Sequence, residues 1–105
     1  MEYVLRHFKV RPGFEDNVRD LAASGSDPEV IKLHSRLGLR QETVFLREEG
    51  DELLLFIVLE VQDIDSLQDQ IASSSDPELA AMRERMTKWL IPQWSTDAAG
   101  VVTAP

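Results

Sequence analysis

Residues 41–61, QETVFLREEGDELLLFIVLEV, decide the fold of this chain because they contain two apolar strands joined by a short turn. Gly50 and Asp51 suit a two-residue hairpin turn, in which glycine supplies the positive φ that a type II′ turn needs at its first central position. Such a turn pairs Glu49 with Glu52 and fixes every pair beyond them. The stretch therefore predicts antiparallel strands over residues 41–48 and 52–61.

This register predicts two sheet faces of different character. One face is almost purely aliphatic, has Glu42 at its end, and suits packing against helices. The other mixes aromatic side chains with Thr43 and Arg47, and suits a dimer interface or the wall of a shared cavity. The first face consists of Val44, Leu46, Leu55 and Ile57, and the second of Thr43, Phe45, Arg47, Leu54, Phe56 and Val58.

The third strand also predicts an assembly. Its run LLLFIVL, residues 53–59, has no polar alternation, so we expect it to be covered on both faces. Two helical regions can cover one side of a four-stranded sheet, and little else is left in 105 residues to cover the other. We therefore expect a homodimer whose two sheets face each other. The alternative is that the C-terminal segment of the chain covers this strand.

The rest of the chain completes an α+β pattern. A strand over residues 3–10 precedes a Pro-Gly turn and an amphipathic helical region, and a second helical region follows the hairpin, with Asp63 as a candidate cap. We read residues 91–105 as a C-terminal loop with a short last strand at residues 101–103. The order β-α-β-β-α-β over residues 1–105 predicts one ferredoxin-like domain with a four-stranded antiparallel sheet.

The tetrapeptide Ser-Asp-Pro-Glu occurs at residues 26–29 and again at residues 75–78, and it interrupts each helical region once. In the second copy, Ser75 can cap the following helix while Glu78 completes a capping box. Alternatively, Asp76 is the cap and Pro77 occupies the first helical position, where its missing N–H costs nothing. The first copy offers the same two arrangements, and both are structural rather than catalytic.

Composition narrows the class of protein. The net charge of −8 disfavours binding to nucleic acid or to anionic membranes. The sequence has no cysteine, and its two histidines have no partner at a short spacing, so we expect no metal site. The N-terminal apolar stretch is too short for a signal peptide, and no run reaches the ~20 apolar residues of a membrane span. We expect a cytoplasmic protein.

Three residues are candidates for catalysis. His34 lies on the apolar stripe of a helix, where it is either a buried neutral histidine or a proton-transfer group or haem ligand that lines a pocket. Glu42 is a candidate general base because apolar neighbours favour a protonated carboxyl group; the alternative is a solvated glutamate near the strand end. His7 lies on the first strand, and a histidine there is able to transfer a proton near neutral pH.

Four residues are candidates for ligand binding: Arg6, Tyr3, Arg47 and Trp89. Arg6 and His7 are adjacent on a strand and therefore point to opposite faces. Arg6 either pairs with Glu42 inside the fold or holds a ligand carboxylate or enolate. Tyr3, Trp89 and also Trp94 are able to stack on a planar ligand, although the helical spacing of Trp89 is more typical of a core residue.

Two segments of the chain resemble the dimeric α+β barrel superfamily. FKVRPGFEDNVRDL, from residue 8, is similar to the first strand, Pro-Gly turn and amphipathic helix of that superfamily, and LRQETVFLREEGDELLLFIVLEVQD, from residue 39, resembles its central hairpin. The Glu-Thr-Val-Phe and Arg-Glu-Glu runs look most like a bacterial domain family of unknown function. More distant relatives include antibiotic-biosynthesis monooxygenases, polyketide cyclases and small isomerases.

The resemblance implies a fold, an assembly and a range of chemistry. It implies ferredoxin-like units that dimerise through their sheets, with a ligand between helices and sheet or inside the barrel. It also implies a monooxygenase, cyclase or isomerase that acts without a cofactor on a small aromatic or enolisable molecule. The alternative is a small-ligand-binding or dimerisation module without catalytic activity, because a fold alone does not fix a reaction.

Overall fold

The computed structural model describes residues 2–23, 32, 35–73, 76–96 and 102–103, which form five strands and three helices. The elements are β1 (Glu2–Val10), α1 (Glu15–Ala23), β2 (Leu39–Glu49), β3 (Glu52–Val61), α2 (Ile64–Ser73), α3 (Pro77–Trp89), β4 (Leu90–Thr96) and β5 (Val102–Thr103). Residues 32, 35 and 36 are also helical.

The strands form one antiparallel sheet in the order β2-β3-β1-β4-β5. β1 and β3 are therefore central, and β2 is an edge strand. The α+β class and an antiparallel sheet of four long strands are confirmed, and the topology is compatible with a ferredoxin-like fold. The two-residue β5 extends the sheet beside β4, so it does not lie across a sheet face.

The hairpin of β2 and β3 has the predicted register. Glu49 pairs with Glu52, and the pairing continues without a shift to Gln41 and Glu60. Gly50 has a φ of 61°, whereas Asp51 has no positive φ, as a type II′ turn requires. The division of the hairpin into two faces follows from this register and is confirmed with it.

The core lies between the helices and one face of the sheet. Alternate residues of β1 and β3 supply its sheet side, and Val61 in its centre is 0% exposed. The buried helical residues Val18, Ile64, Leu67 and Leu79 all belong to this same core. Burying these side chains supplies most of the free energy that holds the helices to the sheet.

Carboxylates cap the two helices that follow β3. At α2, an Asp63 carboxylate oxygen accepts hydrogen bonds from the backbone N–H groups of Asp65 and Ser66 at 3.0 and 3.2 Å, which confirms the predicted cap. Glu2 on β1 accepts a further bond from the N–H of Ile64 at 2.9 Å. This contact ties the start of α2 to the first strand.

The second Ser-Asp-Pro-Glu copy begins α3, and Asp76 is the cap. Its carboxylate accepts the N–H of Glu78 at 2.9 Å, and Pro77 occupies the first turn. Arg36 reaches across to this cap, with its guanidinium 3.1 Å from Asp76 Oδ2 and 3.0 Å from Glu78 Oε2. The predicted break in the second helical region is confirmed. The first copy, at residues 26–29, lies outside the described residues.

The prediction of a loop after residue 90 was wrong for residues 91–96, which form most of β4. This strand pairs with β1 and takes the place in the sheet that the short strand at residues 101–103 was expected to fill. Pro92 argued against a strand because proline cannot donate a ladder hydrogen bond. The pairing absorbs it at an irregularity, where the register shifts between His7 and Phe8.

Candidate functional site

The sheet surface opposite the helices is named here the open face. Its residues follow from the pairing registers of the four long strands and the alternation of side chains along them. They are Tyr3, Leu5, His7 and Lys9 on β1, Thr43, Phe45 and Arg47 on β2, Leu54, Phe56, Val58 and Glu60 on β3, and Ile91, Trp94 and Thr96 on β4. The face is strongly apolar at its centre.

One row of aromatic residues crosses the whole open face. Phe45 pairs with Phe56, Phe56 with His7, and His7 with Trp94, so the row spans β2, β3, β1 and β4. The His7 ring stacks on Phe56 with a centroid distance of 4.2 Å and an interplanar angle of 10°, and it lies 5.3 Å from the Trp94 ring. We name these four residues the aromatic row.

Polar groups surround the centre of the open face and pair with one another. At one end, the Tyr3 hydroxyl donates to Glu60 at 3.2 Å, and Arg40 reaches the same carboxylate at 3.3 Å. At the other end, the Lys9 ammonium lies 3.3 Å from Glu52. An apolar centre with a polar rim is the anatomy of a protein interface. Because these rim groups already have partners, covering them requires few new polar contacts.

Arg6 lies on the opposite, helix-facing side of the sheet. It pairs with Ile57 on β3 and with Ser95 on β4, and its neighbours along the same face of β1 are the buried Val4 and Phe8. Burial in this apolar layer lowers the pKa of Arg6 from its ordinary value, while the negative charge of Glu42 acts in the opposite direction.

The structure divides the predicted site residues between the two faces. Arg6 and Glu42 share the helix-facing side, as their possible pairing requires, but Glu42 is exposed on the edge strand β2. His7, Tyr3 and Arg47 are on the open face instead. Glu42 and His7 of one chain are thus separated by the sheet and cannot act on one bound molecule. His34 lies outside the described residues.

Trp89 packs as a core residue. Its ring stacks on Phe14 with a centroid distance of 6.5 Å, and both side chains contact the core. The Trp89 carbonyl also accepts a hydrogen bond from the Arg11 N–H at 2.8 Å, which joins the end of α3 to the end of β1. These contacts fit the structural interpretation of Trp89 better than the ligand-stacking one.

The sequence predicts two of the four residues in the aromatic row as neighbours. The turn at Gly50 places Phe45 and Phe56 side by side, and that pair was predicted. Its continuation through His7 to Trp94 depends on how β1 pairs with β3 and β4, and no local signal in the sequence fixes that pairing. The sequence predicts Trp94 only as a stacking residue of a loop, because its local pattern does not indicate β4.

Searches for a metal site and for a membrane span each gave a negative result over the described part of the chain. No group of three or more His, Cys, Asp or Glu residues there is placed to hold a metal ion. No helix among the same residues is long and apolar enough to cross a membrane. Comparison with known proteins found no matching family model, no matching curated protein and no matching solved structure.

Proposed function

We propose that this chain works as a homodimer in which the open faces of two copies pack together and the helices remain outside, and that each subunit binds a small organic molecule. The aromatic row is the observation that carries the proposal. Phe45 within it is 55% exposed, and Tyr3 at the rim is 59% exposed. Aromatic side chains concentrated at the centre of an uncovered face are typical of interface hot spots.

The size of the open face suits a second copy of the chain. Four strands about 4.8 Å apart and about seven residues long cover roughly 450 Å² of flat surface. Projecting side chains give such a face more accessible area than flat area, which brings it towards the ~800 Å² per partner of a standard interface. A small ligand alone would leave most of this surface in water.

The charge of the open face also favours a second copy. The chain carries a net charge of −8, but the open face and its rim together have as many basic as acidic side chains. The basic groups are Lys9, Arg40 and Arg47, and the acidic groups are Glu49, Glu52 and Glu60. Two such surfaces do not repel each other, whereas a strongly basic partner would be drawn to the acidic remainder of the molecule.

The chemistry proposed for the small molecule is acid–base catalysis on an aromatic or enolisable compound, in line with the monooxygenases, cyclases and isomerases that the sequence resembles. Removal of a proton next to a carbonyl group is a step suited to a carboxylate base and a cation that stabilises the enolate. Glu42 and Arg6 are the described pair that shares one side of the sheet. Burial also perturbs the ionisation of Arg6, and groups perturbed in this way are enriched at functional sites.

A non-catalytic role in ligand binding or dimerisation is the second candidate function. The observation that favours it is the separation of His7 from Glu42, because the sheet lies between these two candidate acid–base groups in one chain. In this case His7 acts only as an aromatic member of the interface, through its stacking on Phe56.

Native mass spectrometry and sedimentation velocity at micromolar concentration test the dimer. For the wild type we expect a species of twice the 11.9 kDa chain mass. We expect the Phe45→Glu variant to be folded and monomeric, because a dimer would bury two glutamates that have no partners to offset their loss of water. Gln68→Glu is the matched control, since it adds the same charge at an exposed position of α2, and we expect this variant to stay dimeric. A monomeric wild type, or a Phe45→Glu variant that still dimerises, would contradict the proposal.

A further inference from the structure

The Arg6 guanidinium is a cation placed in an apolar layer. Val4 and Phe8 flank it along β1, and Ile57 lies across from it on β3; all three belong to the core. Among the described residues, no side chain or backbone group makes a hydrogen bond or a close ion pair with it. Its interaction with Glu42 is one of charge at longer range. A half-buried guanidinium with five N–H donors ordinarily has acceptors within reach.

Such a group costs stability in the ligand-free protein. Burial removes part of the water around the guanidinium, and no described contact replaces the hydrogen bonds lost with it. A methionine or leucine at position 6 would fit the surrounding aliphatic side chains without this cost. Arginine here is therefore better explained by a bound partner than by packing.

The chemistry of that partner follows from the surroundings. A guanidinium presents a planar fork that matches a carboxylate in two parallel hydrogen bonds. Ser95 lies directly across from Arg6 on β4 and on the same face, so a hydroxyl is available beside the fork. The aliphatic and aromatic neighbours favour an uncharged apolar body attached to the carboxylate.

We propose that Arg6, with Ser95 beside it, binds the carboxylate of a small apolar organic acid between the sheet and the helices. The enolate of such an acid would present its charge to the same fork. This inference names the ligand class for the small-molecule site of the proposed function and rests on it, but it does not depend on the dimer. The ligand carboxylate pairs with the guanidinium directly, whereas Glu42 acts on its charge only at longer range.

Benzoate is the probe, with benzamide as its neutral isostere. We expect benzoate to raise the melting temperature of the full chain in a saturable way and to shift the Arg6 Nε–Hε resonance in the NMR spectrum, while benzamide does neither. Arg6→Lys keeps the charge but loses the fork, so its affinity for benzoate falls about tenfold or more. Arg11→Met is the matched control because Arg11 is exposed beyond β1, and its benzoate affinity stays unchanged.

Arg6→Met separates binding from stability. We expect it to abolish the benzoate response while the urea midpoint of the ligand-free protein stays the same or rises. Equal responses to benzoate and benzamide, an unchanged response in Arg6→Lys, or no benzoate binding by the folded wild type would overturn the proposal. Sedimentation of the same samples keeps the two proposals apart: benzoate binding by a monomer refutes the dimer alone, and a dimer without benzoate binding refutes the carboxylate site alone.

Discussion

Gly50 sets the register of the central hairpin, and its backbone conformation accounts for its identity. Its φ of 61° lies in the left-handed region, and a Cβ built there would meet no atom within 4 Å. The cost of Gly50→Ala is therefore one of backbone strain alone, about 1–2 kcal/mol of the free energy of unfolding. Urea denaturation measures it. Asp51→Ala, at the neighbouring turn position, is expected to change stability by less than about 0.5 kcal/mol; equal losses in both variants would exclude this explanation.

Arg6 and His7 show how far the sequence predicts the orientation of single side chains. Alternation along a strand predicted that they point to opposite faces, and the registers confirm it. The sequence does not predict which of these two side chains points toward the helices, because that depends on pairing between strands distant in sequence. The helix-facing position of Arg6 is also unusual for a protein interior, since an apolar layer ordinarily excludes an arginine without close partners.

At the scale of elements, the start of α3 carries a testable cap. Asp76 accepts the N–H of Glu78 and lies 3.1 Å from the Arg36 guanidinium. We expect Asp76→Ala to lower the free energy of unfolding by about 1–1.5 kcal/mol, mostly through the lost cap. Asp76→Asn retains the cap and loses only an exposed ion pair, so we expect a loss below about 0.5 kcal/mol.

Thermal and urea unfolding of the two Asp76 variants distinguish the cap from the ion pair. Arg36→Ala removes both contacts of that guanidinium and leaves the cap intact. A loss in Asp76→Asn as large as that in Asp76→Ala would show that the ion pair, rather than the hydrogen bond to the helix N-terminus, holds this joint together.

The hairpin is the element that the sequence predicts best, and β4 is the one that it predicts worst. The hairpin is local, with its register dictated by two turn residues, so pattern alone predicted every pair from Glu49 to Gln41. β4 follows α3 directly, begins at Leu90 and contains Pro92. Its strand character comes from pairing with β1, 80 to 89 residues earlier, and from an irregularity that accommodates the proline. Tertiary pairing of this kind overrides local preference.

At the scale of the whole molecule, the sequence predicted an uncovered sheet face before the structure located its aromatic row. The run LLLFIVL carries this prediction, because its apolar residues alternate between two sides of the sheet and both sides require cover. In the structure, Leu53, Leu55, Ile57 and Leu59 are buried against the helices, whereas Phe56 and Val58 are only half-buried on the open face. The C-terminal β5 lies in the plane of the sheet, so the described part of the tail does not cover that face.

A dimer formed through the open face makes the stability of the whole molecule depend on protein concentration. If two chains unfold together, each tenfold rise in concentration adds about 1.4 kcal/mol to the apparent stability of the dimer by mass action. For a cooperative unit of about 200 residues this corresponds to a rise in melting temperature of about 3–5 °C. Differential scanning calorimetry over two decades of concentration measures the slope.

Two variants test whether the dependence of melting temperature on concentration comes from the open face. Phe45→Glu, expected to be monomeric, should melt at a temperature independent of concentration, because its unfolding involves one chain. Ile57→Ala removes core contacts on the helix side of β3 and should lower the melting temperature at every concentration while keeping the wild-type slope. A flat wild-type profile would show that the open face meets water in solution. In that case only its neighbours His7 and Phe45 in the same chain would shield Phe56 from water.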